Sequence, residues 1–236
     1  MTSWLSRLLG PALPALRRWR RPATFAEMDT APLSSEWGFD RGTPLDRFYI
    51  ERFLESHAAD IRGRVLEVKN SDYTKRFGRN VARADVVDIN QSNPLATLVG
   101  DLSRPEMFPE GQFDCFVLTQ TMQYIYETGT VVDSAFRLLA PGGVLLVTVP
   151  SLSRISPRHG PASEFWHFTE ASCLRLFGDV FGEGNVEIRT HGNALTAAAF
   201  LYGATVEEIP REKLEVHDRF FPIVVSVRAT RAVSAS

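Results

Sequence analysis

Cysteine is scarce in this chain: its 236 residues carry only Cys115 and Cys173. Two thiols allow at most one disulfide, which excludes a heavily cross-linked secreted framework, and Cys115 falls inside an apolar run; reduced thiols in a cytoplasmic protein are expected. Long apolar runs are missing as well, since none approaches the ~20 residues that a bilayer-spanning helix needs. Neither sign of charge dominates, with 26 basic against 28 acidic residues, so the overall charge gives no reason to expect a nucleic-acid partner. Three chemistries lack their residues. No Cys/His cluster has zinc spacing, so no metal ligands are assigned. No Gly-x-x-x-x-Gly-Lys loop is present to cradle a nucleotide's phosphates. No Gly-x-Ser-x-Gly elbow is present to present a hydrolase serine.

What the chain does contain is an ordinary globular composition, 44% hydrophobic, at a length that buries one full-sized core. The expected organisation is a basic tail and linker over 1–35, then one domain over 36–236. Arg7, Arg17, Arg18, Arg20 and Arg21 stand in the tail beside Trp4, Leu5, Leu8, Leu9 and Trp19, with no acidic residue before Glu27. A secretory signal would place charge first and an unbroken apolar stretch after it, the reverse of this order. Two readings remain: a basic amphipathic surface for peripheral membrane contact or an acidic partner, or a loosely docked tail in which Pro11 and Pro14 break any long helix.

From Thr43 on, the apolar pattern alternates. Thr43 reads as a helix cap, Pro44 as its first residue and Asp46 as a first-turn acid, with the helix reaching about Ala59. Strands are expected at Val65–Val68, Ala84–Ile89, Ala96–Gly100 and Phe113–Thr119. A helix over Gly129–Leu139 should be stopped by Ala140-Pro141-Gly142-Gly143. Val144–Val149, β-branched or leucine almost throughout, fits a central strand covered on both faces. Helices at Glu170–Phe177 and Ala194–Tyr202 and strands at Val186–Thr190 and Phe221–Ala229 complete the pattern. Strands joined by helix-length crossovers imply an α/β, doubly wound sheet, mostly parallel, with an antiparallel last strand.

One loop breaks the pattern expected of such a sheet. The first apolar strand ends at Val68 and Asp88 closes the next about twenty residues later, the spacing of a nucleotide-type cofactor unit. The loop between should be rich in glycine, yet Lys69, Ser71 and Tyr73 stand in Lys69-Asn70-Ser71-Asp72-Tyr73-Thr74. A dinucleotide pyrophosphate depends on the glycine turn more than a sulfonium nucleoside does, so the loss weighs most against an NAD-dependent enzyme.

Arg137-Leu138-Leu139-Ala140-Pro141-Gly142-Gly143-Val144-Leu145-Leu146-Val147 and Gly111-Gln112-Phe113-Asp114-Cys115-Phe116-Val117-Leu118-Thr119 resemble the fifth-strand turn and the fourth strand of class I methyltransferases (the type 11-like group) over roughly 60–190. Trp37-Gly38-Phe39-Asp40-Arg41-Gly42-Thr43-Pro44, Phe165-Trp166-His167-Phe168-Thr169 and the pair Tyr73-Thr74 are similar to a bacterial subgroup associated with glycan and sugar pathways, in which the first loop departs from Gly-x-Gly. The resemblance implies a Rossmann-like sheet, S-adenosyl-L-methionine (SAM) as cofactor, and methyl transfer to oxygen in preference to nitrogen on a small-molecule or saccharide acceptor. The alternative it leaves open is a non-catalytic methyltransferase-like binding protein. Its implied cofactor contacts are Glu67, which orders the first loop, Lys69, Asn70, Tyr73, Asp88 with Ile89 on the ribose side, Asp101 with Leu102 by the adenine, and Thr119 with Gln120. Lys69 either pairs with the methionine carboxylate or fills its space. Gln123 and Tyr124 stand where relatives often carry a histidine, and glutamine is no general base. The titratable candidates are His159, His167 and His191. His167 leads as the catalytic residue, with Trp166 and Phe168 as an apolar wall for the acceptor.

Overall fold

The computed structural model describes residues 29–157 and 160–233. The basic tail through Met28 and His159 lie outside them. The compact unit begins at Leu33. Its helices and strands are α1 (Leu45–Ser56), β1 (Gly63–Val68), α2 (Asp72–Phe77), β2 (Val81–Asp88), β3 (Leu98–Val99), β4 (Phe113–Thr119), α3 (Thr128–Leu138), β5 (Leu139–Pro150), α4 (Glu170–Phe181), β6 (Val186–His191), α5 (Ala194–Tyr202), α6 (Arg211–Leu214) and β7 (Val224–Thr230).

The seven strands lie in the order β3-β2-β1-β4-β5-β7-β6. β1 to β5 run parallel, and β7 is antiparallel to both β5 and β6. Strand alternation explains why the central strands are apolar throughout. Leu66, Phe116, Leu118, Leu145 and Val147 face a core closed by Val131, Ala135 and Leu138 of α3 and Cys173, Phe177 and Phe181 of α4. Val65, Cys115, Val117, Val144 and Leu146 face the other side, beneath Ile50, Phe53 and Leu54 of α1 and Phe200 of α5. Successive residues of one strand therefore serve two cores. Both cysteines are buried free thiols.

Several expected boundaries shift for physical reasons. α1 starts at Leu45, with Pro44 in the cap position and no side-chain cap. Thr43 is instead drawn to the 205–208 turn, its N–H donating to Glu207 Oε2 at 3.0 Å and its carbonyl accepting from Val206. β5 begins at Leu139, before the breaker, because Phe113 pairs with Leu139 and Cys115 with Val144. The Ala140–Gly143 stretch is thus a bulge inside the strand. Gly142 takes φ +81, and a Cβ on Gly143 would come within 2.8 Å of the Phe113 carbonyl oxygen, so the turn needs both glycines. β3 shrinks to two residues. β7 starts at Val224 rather than Phe221, whose side chain is exposed.

Candidate active site

The strand order reverses between β1 and β4, and the C-terminal ends of these parallel neighbours frame the crevice where such sheets bind ligands. Among the described residues four non-glycine residues have positive φ, and two of them stand at these ends: Lys69 after β1 (φ +71) and Gln120 after β4 (φ +46). Strained backbone of this kind concentrates at binding sites.

Lys69 occupies a glycine's conformation with a lysine. Its N–H donates to the Val87 carbonyl, and the Asn70 N–H reaches back to the Val68 carbonyl at 2.9 Å, the i to i+2 bond of a γ-turn. A left-handed L-residue costs about 1–2 kcal/mol, and glycine recovers this less ~0.5–1 kcal/mol of backbone entropy. Lys69→Gly is therefore expected to raise stability by ~0.5–1 kcal/mol, seen as a higher urea midpoint at unchanged slope. A lower midpoint would show that the lysine side chain itself holds the loop.

Glu67, 2% exposed at the end of β1, anchors the first loop to the strand. Its two carboxylate oxygens accept the backbone N–H groups of Tyr73 at 3.1 Å and Thr74 at 2.7 Å. Burial pushes its carboxyl above the usual range, against the pull of the Thr74 and Tyr73 hydrogen bonds. The Tyr73 side chain turns away from the crevice: its hydroxyl meets Arg47 Nη1 at 3.2 Å and its ring lies along Phe77. Its tie to the loop is its backbone.

Asp88 closes β2, half-buried. One oxygen accepts from the Asn90 N–H at 2.9 Å and the other from Asn93 Nδ2 at 2.7 Å. The same Asn93 nitrogen lies 2.7 Å from the Lys69 carbonyl oxygen. Asn93 thus ties the first loop to the second, and no motif marks it, because Asn93-Pro94 reads only as a turn. Ile89 beside Asp88 is 69% exposed, an apolar side chain left open at the crevice. Asp101 accepts from the N–H and hydroxyl of Ser103, a turn cap. The Leu102 side chain is buried in the core, so only its backbone can face a ligand. Asp85 is fully buried between Arg64 (2.7 Å) and Arg83 (2.8 Å). Burial opposes its ionisation, but the bonds from Arg64, Thr97 and Arg83 prevail and hold its carboxyl low.

On the β4 side, Thr119 ends the strand and the Gln120 N–H donates to the Thr148 carbonyl. Gln123 is buried, its Nε2 3.1 Å from the Gln120 carbonyl oxygen. Gln120 Nε2 and Gln123 Oε1 are buried without a protein partner, a donor and an acceptor at one crevice edge. Each orphan costs about 1–3 kcal/mol, which a bound ligand would offset. The chain after β5 comes back over this edge. The Phe165 N–H donates to the Gln123 carbonyl, and Trp166 Nε1 donates to the Tyr126 carbonyl at 3.1 Å. Burial, then the nearby Glu164 carboxylate, pushes the Tyr124 hydroxyl above its usual range. Glu164 accepts the Ser156 N–H at 2.8 Å and places Oε2 3.8 Å from His167 Nε2. So Gln123, Tyr124, Trp166 and His167 share a site with Glu164, which no local motif marks. Phe168 does not: it is 3% exposed in the sheet core, because its N–H bonds to Pro150 at the end of β5 and draws the side chain under the sheet. The rings grouped at this edge are instead those of Tyr126, Trp166 and Phe165, all exposed, with the Trp166 and Phe165 centroids 5.6 and 5.5 Å from that of Tyr126.

His191 lies outside this site. It ends the edge strand β6, its Nε2 2.7 Å from the Ser226 hydroxyl. Burial, with His217, Arg189 and Arg52 nearby, pushes its pKa down to about 4. An unfolded histidine titrates near 6.5, so the unfolded chain binds more protons between these values and stability falls as pH drops from about 6.5 to 4. Allowing for the water that still reaches the ring, the loss is ~2 kcal/mol. His191→Gln should flatten this limb in urea titrations across that range. An unchanged slope would place the proton uptake elsewhere.

Residues 51–147 match the family model of the methyltransferase domain. A probable S-adenosylmethionine-dependent methyltransferase of Mycolicibacterium smegmatis is 32% identical over 119 residues, covering 50% of this chain and 42% of the relative. A ubiquinone/menaquinone biosynthesis C-methyltransferase of Pasteurella multocida is 28% identical over 166 residues, covering 60% of each. The chain thus spans less than two thirds of the length of these relatives. Among solved structures, a SAM-dependent methyltransferase from Archaeoglobus fulgidus superposes with a TM-score of 0.52 at 12% identity, over 78% of this chain and 94% of that one. The [4+2]-cyclase SpnF superposes with a TM-score of 0.51 at 14% identity, over 98% and 94%. The fold is the Rossmann-like fold also seen in class I methyltransferases, and residues 51–147, from α1 into β5, are similar in sequence to the methyltransferase domain. A cyclase shares the fold, so the fold by itself does not fix the reaction.

Proposed function

We propose that this chain is a SAM-dependent methyltransferase acting on oxygen, in preference to nitrogen, of a small-molecule or saccharide acceptor. The observation that carries the reading is Glu67. A dinucleotide enzyme leaves the amides after its first strand free for a pyrophosphate; here a buried carboxylate takes those of Tyr73 and Thr74. That loop disfavours a phosphate and suits a cationic sulfonium ligand.

The residues present fit SAM. Asp88 keeps a lone pair on each oxygen beyond its protein bonds and receives the ribose hydroxyls. Ile89 covers the adenine, with Asp101 and the backbone of Leu102 at its rim. Lys69, exposed on its γ-turn, pairs with the methionine carboxylate beside Asn70. Thr119 and the orphaned Gln120 amide border the reacting centre. When bound, SAM supplies an electrophilic methyl group on a sulfonium sulfur. Gln123, Tyr124 and the Tyr126–Phe165–Trp166 rings hold the acceptor in line and keep water out. His167 would take the acceptor hydroxyl's proton as the methyl group passes from sulfur to oxygen, and Glu164, its Oε2 3.8 Å from His167 Nε2, would position the ring.

Calorimetric titration with SAM and with S-adenosylhomocysteine tests the reading. One-to-one binding of both is expected, followed by tritiated methyl transfer to members of a panel of phenols and monosaccharides. No heat at millimolar ligand would retire it. Binding without transfer to any hydroxyl or amine would leave the non-catalytic alternative.

A further inference from the structure

Beyond β5 and β7, the edge strand β6 walls a cleft of about 570 Å³ that shares no residue with the crevice. Its volume falls in the ~300–1,000 Å³ range of small-molecule sites. Phe48 of α1, with the Arg52 guanidinium 5.3 Å from its ring centroid, forms an aromatic side together with the edges of the nearly buried Tyr49 and Phe53, and the 188–192 and 214–219 segments form the others. Three guanidinium groups line it. Arg52 bonds Glu215 at 2.7 Å and Arg219 bonds Glu170 at 3.1 Å. Each has further N–H donors to offer, since a guanidinium carries five. Arg189 has no carboxylate partner among the described residues. Two histidines join them: Nε2 of His191 meets Ser226 and Nε2 of His217 meets Thr190, at 2.7 and 2.8 Å. Against three arginines the cleft sets two carboxylates, Glu170 and Glu215, the second shared with Arg211 at 3.1 Å. The lining is thus left with positive charge and unused donors beside an aromatic wall.

We propose that this cleft is a second ligand site, taking a small ring-bearing oxyanion, an aryl carboxylate or aryl phosphate. The anionic head sits at Arg189, with Arg52 and Arg219 flanking it, and the ring lies against Phe48 and Tyr49. A planar fork such as Arg189 matches either head with two parallel hydrogen bonds. Burial chiefly holds down the protonation of His191, and His217, Arg189 and Arg52 add to it; an anion among them would relieve that second part.

The test tracks the ring resonances of His191 and His217 by NMR during titration with phenyl phosphate, benzoate and inorganic phosphate. Saturable shifts are expected with phenyl phosphate or benzoate, and the tighter of the two identifies the head group. Inorganic phosphate should bind more weakly for want of a ring. Arg189→Ala, an exposed position, should weaken binding at least ~10-fold, the scale of one charge-assisted hydrogen bond, with an unchanged melting temperature. Arg52→Ala is the second variant, also expected to weaken binding. Shifts that do not saturate at millimolar ligand, that sodium chloride reproduces at equal ionic strength, or that survive both substitutions would overturn the proposal. SAM binding does not enter this measurement, so the two readings stand or fall separately.

Discussion

Asp88→Ala is expected to weaken SAM and S-adenosylhomocysteine binding about 100-fold while the domain stays folded. A carboxylate that accepts two vicinal hydroxyls contributes two charge-assisted hydrogen bonds, together ~3 kcal/mol. The substitution also removes the acceptor of the Asn90 N–H and of Asn93, but both lie on a solvated loop where water takes over. Calorimetry with each ligand checks the affinity and a thermal melt checks the fold. Affinity within threefold of the parent would remove Asp88 from the site and move the ribose elsewhere.

Glu67→Ala should cost ~3 kcal/mol of stability, the second large effect. The carboxylate is 2% exposed, and its loss leaves the Tyr73 and Thr74 N–H groups without an acceptor, at ~1–3 kcal/mol each. Urea denaturation reads it directly. Glu67→Gln separates charge from shape, because its amide oxygen satisfies one N–H while its NH₂ faces the other. It should fall between parent and alanine. Equal stability of all three proteins would mean that the loop does not depend on this anchor.

How much of this is legible in the chain depends on the range of the interaction. α5 runs over the Ala194–Tyr202 stretch expected of it, because a local Asn193 cap and Gly203 at its end fix both limits. The β4 limits also agree, since alternation and flanking breakers mark them. α2 leaves no trace in the residue pattern: six residues are too few for a helical period, and its start is held by Glu67, a residue of the preceding strand. The site divides the same way. Asp88 can be placed from its spacing along the chain. Glu164, Asn93 and the inward turn of Phe168 cannot, because each is set by a partner distant in sequence or by the depth at which the chain re-enters the sheet. In the sequence Lys69 stands as a lost glycine. The backbone there takes the left-handed conformation that glycine favours, which the residue pattern alone does not show.

The single nitrogen of Asn93, shared between the Lys69 carbonyl and the Asp88 carboxylate, makes one latch of two loops. In the proposed site, a sugar that drew Asp88 toward itself would loosen the grip on the turn at Lys69, and an amino acid settling at Lys69 would shift the partner of Asp88. The nucleoside and amino-acid halves of such a ligand would then be read jointly, and their separate affinities would not sum to that of the whole molecule.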